Sequence, residues 1–227
     1  MSRYVARHEE KFLISTATAE MLKARFRAVL RPDPHALADG SYLIRSIYFD
    51  DIHFTAYNEK LAGVKERTKY RLRYYNFDDR VLFLEKKIKD GRYSGKDSVP
   101  VNRAEADNLL AGEDMDWTAG GGLLEEFALL RRGTHRGVVI VDYDRFAFTY
   151  PAENVRVTLD MDVRTCPYCT DVFNRALPML PVLEEGECVL EVKYDAFLPS
   201  HIGYILEGFP KNHCAVSKYV QCLSVLE

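Results

Sequence analysis

Long apolar runs, a strong surplus of one charge sign and an even number of cysteines are all missing from this 227-residue sequence. No hydrophobic segment approaches the roughly 20 residues that span a bilayer, and the first residues, MSRYVARHEEKF, contain no apolar signal region. The net charge of −3 argues against a general nucleic-acid coat. The 5 cysteines are an odd number without a small-domain disulfide framework. We therefore expect a cytoplasmic protein that neither inserts into a membrane nor binds nucleic acid.

What the sequence does contain is apolar material for a core, at 47% hydrophobic residues, and many strand patterns. The strand candidates cover residues 3–14, 41–51, 67–75, 80–89, 98–101, 137–148, 154–164 and 188–197. Helical spacing marks 16–31, 102–112, 123–132 and 215–226. Strict strand–helix alternation is missing, which favours an antiparallel barrel or a strongly curved sheet over a doubly wound parallel sheet. No repeat or linker divides the chain, so residues 1–227 are predicted to form one domain.

One strand candidate, RTKYRLRYY, carries a row of four cations at alternate positions. They are Arg67, Lys69, Arg71 and Arg73. Alternate strand residues share a face, so neighbouring cations lie about 6.6 Å apart. At an effective dielectric near 20, each neighbouring pair repels by about 2.5 kcal/mol before salt screening. The row therefore either meets water or faces an anion.

The other strand candidates also separate an apolar face from a charged one. In residues 154–164 the apolar set is Val155, Val157, Leu159, Met161 and Val163, and the opposite set is Arg156, Thr158, Asp160, Asp162 and Arg164. A half-exposed antiparallel sheet with a solvated polar face is one explanation. However, the polar faces mix both charge signs with little Ser, Gln or Asn, and the helices need apolar strand faces to pack on. We therefore predict a barrel with helices outside and charge inside, which is stable when it is wet or holds a charged ligand.

Eight short segments resemble a known family and occur in its order. They are RHEEKF, RSIYFDD, YRLRYY, FLEKK, DYDRFAF, VRVTLDMDV, LEVKYD and SKY. Together they are similar to the polyphosphate polymerase domain of the vacuolar transporter chaperone (VTC) family, in the triphosphate tunnel metalloenzyme, or CYTH-like, superfamily. The resemblance runs from about Arg3 to Tyr219. It implies an α+β fold, an antiparallel eight-stranded β-barrel that forms a tunnel, with helices packed outside and a C-terminal helix.

The resemblance also implies which residues bind phosphate and metal. The implied catalytic phosphate ligands are Lys11, Arg71, Arg73, Lys87, Arg145 and Lys218. Arg67 and Lys69, nearer the loop, are predicted to guide an anion at the mouth or to meet water. Further substrate-binding residues would be Tyr143, Lys193 and Ser217, with Lys60 and Lys96 as looser matches. Glu191 would bind Mn²⁺ or Mg²⁺, and Glu9 and Glu85 share strand faces with implied ligands and are secondary candidates. Such a cation needs only one or two carboxylates when phosphates complete its shell.

The implied activity is transfer of the γ-phosphate of ATP onto inorganic polyphosphate. The hydrolases of the superfamily use a Glu-x-Glu-x-Lys strand, whereas the matching strand here has Arg7, Glu9 and Lys11. That difference favours the polymerase. Two alternatives stay open, a triphosphatase or tripolyphosphate hydrolase in the same tunnel and a non-catalytic polyphosphate-binding module. The expected ligands are ATP and polyphosphate or triphosphate, and a membrane-protein partner that accepts the product is possible in this family.

Three further features are interpreted as structural. Cys166 and Cys169 form a CPYC motif, but the strand before them is not the setting that a redox dithiol needs. GRYSGKDS, residues 91–98, lacks one residue of a phosphate-binding loop and is predicted to be a hairpin turn. The glycine run 120–122 is interpreted as a linker, and Trp117 is given no chemical role.

Overall fold

The computed structural model describes residues 7–91, 93–112, 122–213 and 217–226. In chain order its strands are β1 His8–Ser15, β2 Arg31–Pro32, β3 Ser41–Asp50, β4 Glu66–Tyr75, β5 Asp78–Asp90, β6 Tyr93–Val101, β7 Arg136–Tyr150, β8 Val155–Pro167, β9 Leu180–Pro181, β10 Glu187–Tyr194 and β11 Asn212–His213. Its helices are α1 Thr16–Val29, α2 Thr55–Leu61, α3 Arg103–Ala111, α4 Gly122–Arg132, α5 Ser200–Glu207 and α6 Lys218–Leu223. Residues 117, 120 and 121 lie outside this description.

All the strands belong to one antiparallel sheet, in the order β11-β1-β10-β8-β7-β3-β4-β5-β6, with β2 on β7 and β9 on β8. The predicted antiparallel α+β class is confirmed. A closed eight-stranded barrel is not, because the sheet has 11 strands and, in the described residues, β11 and β6 each pair on one side only. Three of the strands are only two residues long. The sheet is therefore open and strongly curved, which was the other form that the strand patterns allowed.

The helices cover the apolar side of the sheet, as the strand faces predict. Ser15 begins α1 by accepting a hydrogen bond from the backbone N–H of Thr18. Leu22 and Phe26 of α1 are buried against Leu159 and Leu190 in one apolar cluster. Burial of a side chain of this size contributes about 2 kcal/mol. A second apolar cluster lies under α3 and α4, so the charged strand faces turn away from these helices.

A bulge in β8 breaks the predicted alternation of residues 154–164. Asp162 has a left-handed backbone with φ 49°, and the register with β7 shifts between Asp142 and Asp144. Val157 consequently packs in the cluster under α1, while Val163 packs with Val141 in a different cluster. The extra residue moves the chain by one step of its two-residue period, so Val163 changes face. Assigning Val163 to the same face as Val157 was wrong.

The last helix, α6, lies on the charged side of the sheet and not with the outer helices. It packs on β7, β8 and α2, and Tyr219 and Cys222 share an apolar cluster with Val141 and Val163. The Thr165 hydroxyl also donates to the carbonyl of Cys222 at 3.2 Å. Helix α6 thus fills part of the space on the charged side of the curved sheet. The predicted helix 215–226 begins later than expected, and residues 215–216 lie outside the described part.

The predicted hairpin is present, but its turn is shorter than residues 91–98, because β6 already begins at Tyr93 and not at Ser98. Gly91 has φ 53°, the left-handed conformation that glycine adopts without cost. Asp90 then pairs with Tyr93 as β5 and β6 run back along each other. Helix α5 was not predicted at all, because a segment of eight residues gives little periodic signal.

Candidate functional site

A cavity of about 360 Å³ occupies the charged side of the curved sheet. Its lining is Glu9, Lys11, Tyr48, Lys60, Arg67, Lys69, Arg71, Arg73, Lys87, Lys89, Tyr143, Arg145, Glu191, Lys193, His213, Ser217, Lys218 and Tyr219. Among the described residues this lining holds eleven lysines and arginines but only two carboxylates. The row of cations on β4 therefore faces the interior of the molecule and not bulk water.

Strands far apart in the sheet order come together around the cavity. Lys87 of β5 lies 3.3 Å from Glu9 of β1, although five strands separate β1 from β5 in the sheet. The sheet must therefore curl until these two strands face each other. Arg67, Lys69, Arg71 and Arg73 reach the same space from β4.

The two carboxylates of the cavity lie on one side of it, on neighbouring strands. In the β1/β10 register Glu9 is opposite Lys193, and Lys11 is opposite Glu191. Along each strand the carboxylate also contacts the lysine of its own strand, with 2.9 Å between Glu9 and Lys11 and 2.5 Å between Glu191 and Lys193. We call these four residues the charge-balanced wall, because each cation in it has a carboxylate beside it.

The charges of this wall stabilise one another. Burial disfavours ionised Glu9, but the ammonium groups of Lys87 and Lys11 outweigh it and lower the pKa of Glu9 to about 2. Burial likewise opposes the charge of Glu191, and Lys193 and Lys11 hold the pKa of this carboxyl well below its usual range. Burial would lower the pKa of Lys11, yet Glu191 and Glu9 raise it. Both carboxylates are therefore ionised at neutral pH.

Across the cavity lies what we call the cation-rich wall, formed by Lys69, Arg71 and Arg73 of β4 and Lys87 of β5. Within the lining no carboxylate belongs to β4 or β5 in the described residues. The counter-ion of the arginines is Glu85, which is 2% exposed and lies behind the cavity surface. It contacts Arg71 at 2.5 Å and Arg73 at 3.9 Å.

Glu85 lies where it orients the arginines and not where it would reach a ligand. One of its oxygens accepts a hydrogen bond from Arg71 at 2.6 Å, and the other accepts from Lys96 at 2.6 Å. Burial opposes its charge, but Arg71 and Arg73 lower the pKa of Glu85 strongly. Neither Glu85 nor Lys96 belongs to the cavity lining, so these two predicted site residues support the cation-rich wall from behind.

Hydroxyl groups accept further hydrogen bonds from the arginines. Arg71 donates to the phenolic oxygen of Tyr48 at 3.0 Å, and Arg73 donates to that of Tyr143 at 2.9 Å. Arg73 also donates to Ser46 at 3.1 Å. The guanidinium planes are therefore held in place before any ligand binds, which lowers the entropic cost of binding an anion.

A third group of charges joins β7, β8 and α6. Asp160 accepts two hydrogen bonds from Arg145, at 2.6 and 2.8 Å, and contacts Lys218 at 2.5 Å. Burial opposes the charge of Asp160, but Arg145 and Lys218 outweigh it and lower its pKa to about 2. Asp160 was recognised only as part of a polar strand face. Its role depends on the register that places it opposite Arg145.

Helix α6 is fixed at the cavity by two further contacts. Tyr219 donates its phenolic hydrogen to the buried carboxylate of Asp50, and Asp50 also accepts from the backbone N–H groups of Ala56 and Tyr57 at the start of α2. Lys69 donates to Ser217 at 3.1 Å. Ser217 and Tyr219 of the SKY motif are thus placed by contacts to β4 and β3, and Lys218 by its contact to Asp160 of β8.

The structure brings most of the predicted site residues into one cavity. The predicted residues that line it are Lys11, Lys60, Arg71, Arg73, Lys87, Tyr143, Arg145, Lys193, Ser217, Lys218, Glu9 and Glu191. Lys96 and Glu85 do not line it. Lys69 was interpreted, together with Arg67, as a residue of the mouth or the solvent face. It lies in the wall instead, and the alternating pattern that it shares with Arg71 was the signal for this.

The candidate donors for a divalent cation are the carboxylates of Glu9 and Glu191 and the hydroxyl of Thr158. Thr158 lies opposite Glu191 in the β8/β10 register, and its buried hydroxyl oxygen has no hydrogen-bond partner among the described residues. Within that part of the chain no group of three or more His, Cys, Asp or Glu side chains forms a metal cluster. The donor set around Glu191 and Glu9 therefore fits Mn²⁺ or Mg²⁺ where phosphate oxygens and water supply the other ligands.

The CPYC motif lies away from the cavity lining. Cys166 and Cys169 are joined by a disulfide bond, and neither lines the cavity. None of the described helices has the length and apolar character that crossing a bilayer requires.

Comparison with known proteins agrees with this architecture. Residues 6–227 match the VTC domain model, and no curated protein matches the sequence significantly. A candidate adenylyl cyclase from Hippeastrum with a dominant triphosphatase activity is similar in structure, with TM-score 0.52 and 14% identity over 94% of this chain and 93% of that chain. A candidate adenylate cyclase from Bacillus halodurans has TM-score 0.51 and 13% identity over 89% and 88%.

At such identities the solved structures show a shared fold alone, whereas the family match covers nearly the whole chain. The predicted resemblance is thereby confirmed, and this chain belongs to the VTC domain family.

Proposed function

We propose that this protein is an ATP-dependent polyphosphate polymerase, which transfers the γ-phosphate of ATP onto a growing inorganic polyphosphate chain. The observation that carries the proposal is the lining of the cavity, where eleven lysines and arginines meet two carboxylates among the described residues. Such an excess of positive charge in a partly buried space requires an anionic ligand of high charge density. Membership of the VTC domain family supports polyphosphate as that ligand.

The chemistry needs little beyond these groups. Phosphoryl transfer depends mainly on positioning and on stabilisation of the charge on the phosphoryl oxygens. Arg71 and Arg73 offer planar donors already fixed by Glu85, Tyr48 and Tyr143. The acceptor is the terminal phosphate of the chain itself, so a side-chain nucleophile is not required. Lys87 and Lys218 reach the same space as compact charges.

Glu191 and Glu9 would hold the divalent cation at the charge-balanced wall. When bound, Mn²⁺ or Mg²⁺ neutralises phosphate charge that the lysines and arginines do not reach. The carboxylates keep their negative charge at neutral pH because the neighbouring lysines lower their pKa. Lys193 and Lys11 then contact phosphate oxygens in place of the carboxylates. ATP, polyphosphate, the metal and a cytoplasmic location are parts of this proposal.

A triphosphatase in the same cavity is the second candidate. It is supported by the dominant triphosphatase activity of the Hippeastrum protein, which shares the fold. The cavity offers one carboxylate on β1, Glu9, where the Glu-x-Glu-x-Lys strand of hydrolases would offer two. That difference favours the polymerase. A module that binds polyphosphate without turnover would keep the cation-rich wall and have no use for Glu191.

One assay separates the three functions. Purified protein is incubated with ATP and Mn²⁺, and the products are examined by gel for polyphosphate and by a colorimetric assay for released phosphate. Long chains that appear only with active protein are the expected result. Released phosphate without polyphosphate chains would contradict the polymerase and support the hydrolase. If neither product forms but the protein binds polyphosphate tightly, the result would support the non-catalytic binding module.

A further inference from the structure

The surroundings of Lys69 differ from those of three other cavity lysines. Lys11, Lys193 and Lys218 each contact a carboxylate within 2.9 Å. The amine of Lys69 contacts the hydroxyl of Ser217 at 3.1 Å and lies 4.9 Å from the centre of the Tyr219 ring. In the part of the chain that the structure describes, no carboxylate lies within ion-pair distance of it. This amine therefore has no counter-ion until an anion enters the cavity.

Cations face Lys69 from several elements. They are Arg67 and Arg71 on its own strand, Lys87 on β5, Lys60 on α2 and Lys11 on β1. The neutral Ser217 directly precedes α6, and Lys218 and Tyr219 of α6 line the same cavity. In the β4/β5 register Lys69 and Lys87 are direct partners, a position in which like charges destabilise a sheet. The positive charge of Lys69 is consequently disfavoured in the free protein by its partial burial and by this ring of cations.

The electrostatics agree with the geometry. The pKa of Lys69 is lowered to about 7, mainly by burial and then by repulsion from Lys87 and Lys60. Near neutral pH a substantial fraction of the free protein thus carries a neutral amine at this position.

We propose that Lys69 is a phosphate-binding residue that takes up a proton from solvent as a polyphosphate enters the cavity. The anion supplies the counter-ion that the protein lacks there, so the ammonium form becomes the favoured one. The lone pair of the amine nitrogen forms the new N–H bond, and a buffer acid gives up the proton. This inference rests on the proposed function, because it requires an anion of the polyphosphate class in the cavity. It adds that binding is coupled to proton uptake at Lys69.

The coupling makes affinity depend on pH in a defined direction. Below the pKa of free Lys69 the amine is already charged, and binding takes up no proton there. Above that pKa each unit of pH removes more of the charged form, so the affinity decreases as pH rises. With a pKa of about 7, roughly 0.7 proton per ligand is taken up by Lys69 near pH 7.5. The affinity then falls roughly fivefold per pH unit in this range.

Calorimetry measures this uptake directly. Tripolyphosphate is titrated into the whole protein with EDTA present, so that metal-dependent turnover does not contribute. Three buffers of different ionisation enthalpy are used near pH 7.5, and the slope of the observed enthalpy gives the protons bound per ligand. Lys69→Arg keeps a permanent charge and should lose more than half of the uptake while binding tripolyphosphate. Lys65→Arg is the matched control, because Lys65 pairs with Asp90 outside the cavity lining.

The outcomes separate the inference from the function on which it rests. Uptake by the wild type and by Lys65→Arg, with a clear loss in Lys69→Arg, supports the inference. Equal uptake in all three proteins, or none in the wild type despite binding, overturns it and leaves the polyphosphate site intact. An absence of tripolyphosphate binding overturns both. Lys69→Gln provides a second test, since it too should lose the uptake, with at least tenfold weaker binding.

Discussion

The two walls of the cavity carry similar residues but differ in how their charges are matched. On the charge-balanced wall, Glu9 and Glu191 each contact a lysine of their own strand. On the cation-rich wall the arginines share Glu85, which lies behind the surface, and Lys69 has a hydroxyl as its polar contact. The first wall needs no ligand for electrical balance, whereas the second does. Under the proposed function, the metal would therefore bind at the first wall and the phosphate chain at the second.

Replacement of the metal carboxylate is expected to have the largest effect. Glu191→Gln should lower Mn²⁺-dependent turnover of ATP about 1,000-fold, equivalent to about 4 kcal/mol of barrier. Binding of tripolyphosphate in EDTA should persist or strengthen, because the change removes a negative charge from the cavity. Turnover is measured with ATP and Mn²⁺, and binding by calorimetry. Glu185→Gln, at an exposed position, is the control, and unchanged turnover in Glu191→Gln would refute the metal assignment.

The cation-rich wall is tested by removing its arginines. Arg71→Ala with Arg73→Ala should weaken tripolyphosphate binding at least about 100-fold, since each charge-assisted hydrogen bond contributes about 1.5–3 kcal/mol. The double variant also leaves the buried Glu85 without these partners, so Glu85→Gln is added in a third protein to remove that effect.

Arg67 is the matched control for this experiment. It lies in the same row and lines the same cavity, but it donates to the carbonyl of Val64 next to the turn before β4. Arg67→Ala should weaken binding only about threefold, as exposed rim charges do. Equal losses in Arg67→Ala and in the arginine pair would mean that the anion lies nearer the cavity mouth.

Acid titration tests the charge network next to the charge-balanced wall. Asp160 has a pKa of about 2 in the folded protein, below the value of about 3.9 for an unfolded chain. Its contribution to the free energy of unfolding is therefore fully present above about pH 4 and disappears as pH falls towards 2, a loss of about 2 kcal/mol. Chemical denaturation from pH 5 to 2 should show a steeper loss of stability in the wild type than in Asp160→Asn. Parallel curves would contradict this assignment.

The smallest effect is expected at the CPYC motif. Cys166 and Cys169 are bonded to each other and do not line the cavity. Cys166→Ser with Cys169→Ser should change tripolyphosphate affinity less than about twofold, because no charge of either wall moves. Calorimetry with oxidised and reduced wild-type protein provides the parallel measurement. A large change in affinity would connect this disulfide to the cavity.

Strand faces were predictable because side chains alternate with a period of two and the apolar faces match the helices. The bulge at Asp162 was not, since an inserted residue changes the face of Val163 without a signal in composition. Whether the sheet closes into a barrel or stays open was not predictable either, because this depends on the summed curvature of strands that are distant in sequence.

The residues of the candidate site also divide into those that were predictable from the sequence and those that were not. Arg71, Arg73 and Glu191 were predicted from short motifs that resemble those of the family and follow its order, and they do line the cavity. The role of Asp160 depends on the register between β7 and β8, and that of Glu85 on its depth behind Arg71. Both are three-dimensional properties. Lys69 shares the alternating pattern of Arg71, so its position in the same wall was predictable from the sequence.

The most direct test of the two-wall account is a crystal structure of this protein with tripolyphosphate and Mn²⁺, with the metal located by anomalous scattering. The account predicts phosphate groups hydrogen-bonded to Arg71 and Arg73 and a manganese peak at the carboxylate of Glu191. A manganese ion bound at Glu85, or an anion held by the charge-balanced wall without contact to Arg71 and Arg73, would contradict it.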